Sequence, residues 1–200
     1  MIAYINAINF SDGLDGLATG YILNCLISII CFSILNGSYE NLEPLFFLIF
    51  ILIIFLLSNF GFLLPKSFLG DSGSTALGFL ISSYLIYFTI PENRYFHPVL
   101  ALWAAPFPTF DFMTVFIKRL MIKTNPFRPD RRHLHYLLIS SPISNNLITP
   151  LLVSGSIICS ILGFIIYYYL GSVHSIVFFF FALFIYFLIS VYVSDNVNKI

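Results

Sequence analysis

The sequence predicts an all-α protein, a polytopic membrane bundle of about six transmembrane helices, and three observations carry that expectation. Hydrophobic residues make up 59% of the 200 residues and charged residues only 9%, against about 25% charged in a soluble domain. Mean hydropathy is +0.95. The apolar residues also gather in predominantly apolar segments of about twenty, the length a helix needs to cross the hydrocarbon core. They do not alternate, which excludes a β-barrel, and they carry no heptad, which excludes a coiled coil. With nine basic and nine acidic residues the net charge is zero, so nothing points to nucleic acid.

Six segments qualify in order: 17–36, 45–64, 73–90, 98–117, 147–169 and 175–194. The second has no polar side chain from Leu45 to Leu57. The fourth is interrupted by Pro106 and Pro108 and carries Asp111, for which Lys118 or Arg119 is the expected ion-pair partner. Cys25, Cys31 and Cys159 lie within spans without metal or disulfide spacing and are read as packing residues. The whole of 1–200 is expected to form a single integral-membrane domain.

Charge distribution sets the topology. Six of the nine Lys and Arg fall between Lys118 and Arg132, and the positive-inside rule puts that loop in the cytoplasm. Counting spans outward places 1–16, 65–72 and the C-terminal tail on the same side, and 37–44, 91–97 and 170–174 on the other. Eight of nine basic residues are then inside, Arg94 being the exception. Three polar clusters consequently meet at one membrane border, where ionisable groups are costly and usually functional.

The first cluster is Asn6-Ala-Ile-Asn9-Phe-Ser-Asp12-Gly-Leu-Asp15-Gly-Leu-Ala. The spacing of three predicts Asn9, Asp12 and Asp15 on one helix face. A simple helix cap would need one carboxylate, not two. The second is Phe68-Leu-Gly70-Asp71-Ser-Gly-Ser. Glycines flanking an Asp at a helix start suit a phosphate held through a divalent cation, although capping alone would also use Asp71 or Ser72. The third is Asn125-Pro-Phe-Arg128-Pro-Asp130-Arg131-Arg132-His133-Leu-His135. Its guanidinium forks suit phosphate, while a bare topology-setting loop would show the same charges. Together they fit metal-assisted transfer between a phosphorylated donor and a lipid acceptor.

These three motifs resemble those of the polyprenyl-phosphate N-acetylhexosamine-1-phosphate transferases (glycosyltransferase 4 family), and among them the bacterial undecaprenyl-phosphate N-acetylglucosamine-1-phosphate transferases that start O-antigen or related glycans. The resemblance implies transfer of a sugar-1-phosphate from a UDP-N-acetylhexosamine to undecaprenyl phosphate, with release of UMP, at the cytoplasmic face of the bacterial inner membrane. It implies that Asn9 and Asp71 ligate Mg²⁺, or Mn²⁺, and that Asp12 and Asp15 are catalytic. It further implies that Asn59 and Phe68 contact the nucleotide and that Arg128, Arg131, His133 and His135 grip the pyrophosphate and sugar. Tyr136 stands where the family has a further histidine. No two acidic residues are adjacent anywhere in the chain, whereas the family requires an Asp-Asp pair preceding the first motif. The chain therefore looks like a C-terminal part, expected to show little or no transferase activity alone and to pair with a separate N-terminal half or a second copy. A non-catalytic subunit is the first alternative reading. An ion transporter using Asp12, Asp15 and Asp111 is the second.

Overall fold

A computed structural model describes residues 1–62, 65–123 and 132–197. Among them the ordered elements are helices: α1 (Ile2–Ser11), α2 (Leu17–Leu35), α3 (Glu43–Asn59), α4 (Gly70–Tyr87), α5 (Pro98–Ala104), α6 (Pro106–Met121), α7 (Leu134–Ile139) and α8 (Asn145–Val197). A short 3-10 turn spans Pro91–Asn93. The all-α membrane architecture read from composition is the one found.

The spans differ from the expected set in ways the chain chemistry explains. The fourth is two helices, α5 and α6, bent by 83° at Ala105 (φ −141, ψ 59), because Pro106 and Pro108 remove backbone donors and clash with the preceding turn. The fifth and sixth run together as the 53-residue α8, broken at Gly171 (φ 81, ψ 179). That residue is a reversal. Trp103 Nε1 donates to Ser175 Oγ at 2.9 Å while Gly163 packs on the same indole, and twelve residues of straight helix would separate those positions by about 18 Å. Phe107 likewise touches both Gly155 and Tyr186. By length and apolarity, α2 and α8 suffice to cross a membrane, and three spans result if α5 and α6 count as one. Those criteria alone do not carry the count to six.

The bundle has two distinct polar ends. At one, Asn36 Nδ2 donates to Tyr95 O at 2.8 Å and Asn41 Nδ2 to Tyr95 Oη at 2.7 Å, and His97 lies against Tyr167. At the other, Gly16, Asn59 and Ser67 are joined and Thr149 Oγ1 donates to Asp15 O at 3.0 Å. Segments 1–16 and 65–72 therefore share one end, and 37–44 and 91–97 the other.

Helix α2 is central, with thirteen of its nineteen residues buried, and it packs against α3, α4, α5 and α8. By contrast α3 buries only Leu45, Leu52 and Asn59, one stripe at seven-residue spacing, and turns Phe46, Phe47, Phe50, Ile53 and Ile54 outward. Such a face suits lipid rather than water. Cys25 is buried and Cys159 half-buried, but Cys31 is exposed on α2, so it is not a packing residue as expected. Helices α1 and α4 cross closely where Gly78 faces Ile5: a Cβ there would sit 3.0 Å from Ile5 Cα.

Candidate functional site

The first motif does not form one helical stripe. Helix α1 ends at Ser11, with Asp12 as its C-cap (φ −81, ψ 45), and α2 begins only at Leu17 after Gly16 at φ +75. Gly13 leaves room that the helix would otherwise fill: a Cβ there would lie 2.7 Å from His135 Nε2 and 3.0 Å from Tyr136 Oη. Left-handed backbone at Gly16 costs a residue with a Cβ about 1–2 kcal/mol, and a Cβ at that position would also run into Phe60. The Asp12–Gly16 turn thus exists because two glycines let α7 and α3 approach it.

The turn is bracketed by Asn59. Its Oδ1 accepts from Gly16 N at 2.7 Å and its Nδ2 donates to Ser67 O at 2.8 Å. Both polar ends of this buried amide are engaged within the chain. The bracket ties the first motif to the segment carrying Lys66 and Phe68. Lys66 Nζ meets Asp15 Oδ2 at 2.7 Å in a largely exposed pair and lies 5.3 Å from the centre of the Phe68 ring. Phe68 is 71% exposed, an apolar ring held at the surface beside an ion pair.

The second motif opens α4, with Asp71 in its first turn. Asn9 reaches across from α1 and donates Nδ2 to Ser74 Oγ at 2.8 Å, so Oδ1 is the atom of that amide that could meet a cation. The Asp12 carboxyl is raised above the usual range, first by partial burial and then by the negative charges of Asp71 and Asp15, with a hydrogen bond from the Gly70 backbone working the other way. Two carboxylates that repel one another beside an amide oxygen form a hard-oxygen donor set. Among the described residues no three His, Cys, Asp or Glu are arranged to hold a metal ion by themselves. Mg²⁺ commonly takes one or two carboxylates and completes its shell with water and substrate phosphate, so the donor set fits that ion.

The third motif arrives from α7. His133 caps α7 (φ −66, ψ 145) and its Nδ1 lies 2.8 Å from Asp111 Oδ2. Asp111 Oδ1 accepts from Leu134 N at 2.9 Å and Tyr186 Oη at 3.2 Å. The partner of Asp111 is therefore His133, not a basic residue on its own helix. Lys118 lies seven residues on, about 10 Å along the axis, and bonds Ser190 instead. His135 is 2% exposed, stacks near His133 (ring centroids 5.9 Å) and tilts against Tyr136 at 4.2 Å. Burial first, and His133 in part, lower its pKa to about 4 despite the opposing charge of Asp111. Its buried Nε2 has no hydrogen-bond partner among the described residues and sits over the Gly13 turn. Arg128 and Arg131 lie outside the described residues.

Beside Asp15 a groove of about 1000 Å³ runs between α2, the end of α3 and the first part of α8. Asp15, Asn145, Asn146 and Thr149 line its polar mouth, and Leu23, Ile27, Leu56, Val153 and Ile157 its apolar body. Sequence reasoning passed over Lys66, Ser67, Thr149 and Tyr186. Lys66 alone had a local signal, as a cation two residues before an aromatic at the membrane border.

Fold and site define a polytopic membrane protein with an acidic, amide-bearing and histidine-flanked site at one end of its bundle. Residues 1–89, which hold the first two motifs, match the sequence model of Glycosyl transferase family 4. The chain is 33% identical over 168 residues to the undecaprenyl-phosphate alpha-N-acetylglucosaminyl 1-phosphate transferase of Yersinia pestis, covering 82% of this chain and 45% of that protein. The Escherichia coli K12 protein of the same name is 35% identical over 141 residues, 68% of this chain and 38% of its own length. The Pasteurella multocida counterpart is 35% identical over 98 residues, 49% and 28% respectively. These matches relate residues 1–89 to glycosyl transferase family 4 and the rest of the matched chain to proteins of the kind its motifs resemble. The chain spans less than half the length of these relatives. No solved structure matches it.

Proposed function

We propose that the chain forms the donor-binding part of a phosphoglycosyl transferase that moves N-acetylhexosamine-1-phosphate from a UDP-sugar to undecaprenyl phosphate at the cytoplasmic face of the bacterial inner membrane. The observation that carries this reading is the grouping of Asn9 beside the Asp71 helix start, Asp12 coupled to Asp71, and the His135 Nε2 over Gly13, which has no partner among the described residues. The names of the relatives supply the acceptor, and the groove beside Asp15 offers an apolar path toward it.

In the proposed reaction an acceptor phosphate oxygen attacks the sugar-bearing phosphorus of the donor. A new P–O–P linkage forms to the lipid, the donor's own P–O–P linkage breaks, and UMP leaves. Asn9 Oδ1 and the Asp71 carboxylate would hold Mg²⁺, which when bound neutralises phosphate charge developing in transfer. Phe68, exposed beside Lys66, offers a stacking face to the uracil. Asp15 orients Lys66, and Asp12 lies between Asp71 and the histidines, where it can position the donor phosphates or accept a proton. His133, His135, Arg128 and Arg131 would take the pyrophosphate and sugar, and the Asn59 bracket holds the turn and the Phe68 segment together. The remaining transferase elements, an acidic pair among them, would come from a separate N-terminal half or a second copy.

The test is equilibrium binding of UDP-N-acetylglucosamine to the purified chain in lipid nanodiscs, with and without Mg²⁺. Binding that needs both the uracil and the divalent ion supports the reading. Equal binding of an ADP-sugar, or binding indifferent to chelator, contradicts it.

A further inference from the structure

We infer that Asp111 is a positioning residue that acts on the donor through His133, an inference that rests on the transferase reading above. Asp111 sits within α6 and is buried, with 10% of its side chain exposed against 3% for His133. Three groups converge on its carboxyl: His133 Nδ1 at 2.8 Å on Oδ2, and Leu134 N at 2.9 Å with Tyr186 Oη at 3.2 Å on Oδ1. Leu134 N and Tyr186 Oη are donors, and accepting from both favours the ionised carboxyl over the protonated one. Facing an ionised carboxyl, His133 Nδ1 carries the hydrogen, and in the neutral imidazole Nε2 is left as the free lone pair.

The bond to Leu134 N fixes more than a ring. Leu134 is the first residue of α7, so Asp111 pins the start of that helix to the wall made by α6 and α8. The Phe10 ring, at 5.1 Å from the His133 ring, closes the other side, next in sequence to Asn9. His133 is thereby held in one tautomer and one orientation between the acidic cluster and the membrane-embedded wall, the arrangement by which outer-shell carboxylates set the ring nitrogen that meets a ligand.

The experiment uses the full chain labelled with ¹⁵N-histidine, His133 being assigned with His133→Gln. Ring ¹⁵N shifts of the wild type are expected to show neutral His133 protonated at Nδ1, and the other tautomer overturns the inference without any further variant. In Asp111→Asn the amide can present its NH₂ to the ring, and the His133 proton is expected to move to Nε2. Affinity for UDP-N-acetylglucosamine with Mg²⁺ is expected to fall roughly 10–100-fold, as for outer-shell partners in general. Tyr186→Phe removes a bond to Asp111 without touching the ring, so the tautomer should hold and affinity should stay within about threefold. An Asp111→Asn chain that melts earlier but keeps the tautomer and affinity shows a merely structural role and overturns the inference. If the wild type binds no UDP-sugar the transferase reading fails, and the wild-type tautomer still decides whether Asp111 sets the ring.

Discussion

Asn59→Ala separates a bracket from a ligand contact. In the fold the Asn59 amide accepts from Gly16 N and donates to Ser67 O, and the residue is 6% exposed. Truncation leaves the buried Gly16 N–H without a partner, at a cost of about 1–3 kcal/mol, and removes a second hydrogen bond contributing about 1 kcal/mol. The sum is about 2–4 kcal/mol, which for a chain of this size corresponds to a melting shift of roughly 5–15 °C. Asn59→Asp should cost at least as much, because it keeps the acceptor for Gly16 but turns an oxygen toward Ser67 O. Thermal unfolding in detergent reads the stability, and UDP-N-acetylglucosamine titration well below the transition reads the site. The bracket predicts a clear loss of Tm with affinity retained within about threefold in the fraction still folded. Unchanged Tm with affinity lost tenfold or more would refute it and make Asn59 a direct nucleotide contact.

Two further expectations follow from the packing and the buried imidazole. His135 is neutral in the fold down to about pH 4, whereas an unfolded histidine protonates near pH 6.5; the unfolded state therefore binds more protons between those values, and stability should fall by about 2 kcal/mol from pH 7 to pH 5. Melting curves across that range should show the loss, and His135→Phe should flatten it. Gly163→Leu should destabilise by about 2–4 kcal/mol, since the new side chain displaces Trp103 and breaks its bond to Ser175, combining overpacking with an orphaned indole N–H. Near-wild-type melting would show that the α5–α8 contact is not tight.

What was legible in the sequence was what depends on parity and local chemistry. Asp12, Asp71 and His135 could be placed at one end because an even number of apolar segments separates them, and that holds whether the segments are straight, as α2, or bent, as α5 and α6. The reversal at Gly171 lies in a segment whose apolar run breaks at Gly171-Ser172. Contacts between distant segments were not legible. Spacing put Asp12 and Asp15 on a helix, but Gly13 and Gly16 yield the turn to His135 and Phe60, which lie far along the chain. Asp111 invited pairing with cations on its own helix, while its partner His133 is 22 residues away along the chain. Asn59 meets Gly16 and Ser67 with no local pattern to mark either partner.

The central claim is that Asn9 and Asp71 hold a divalent ion against the donor phosphates. Mn²⁺ can stand in for Mg²⁺ and is visible by electron paramagnetic resonance, so titration of Mn²⁺ into the chain with and without UDP-N-acetylglucosamine tests the claim directly. The account predicts that the nucleotide sugar tightens Mn²⁺ binding and that Asp71→Asn abolishes this tightening while leaving the chain folded. Mn²⁺ binding that ignores the donor, or that survives Asp71→Asn unchanged, would contradict it.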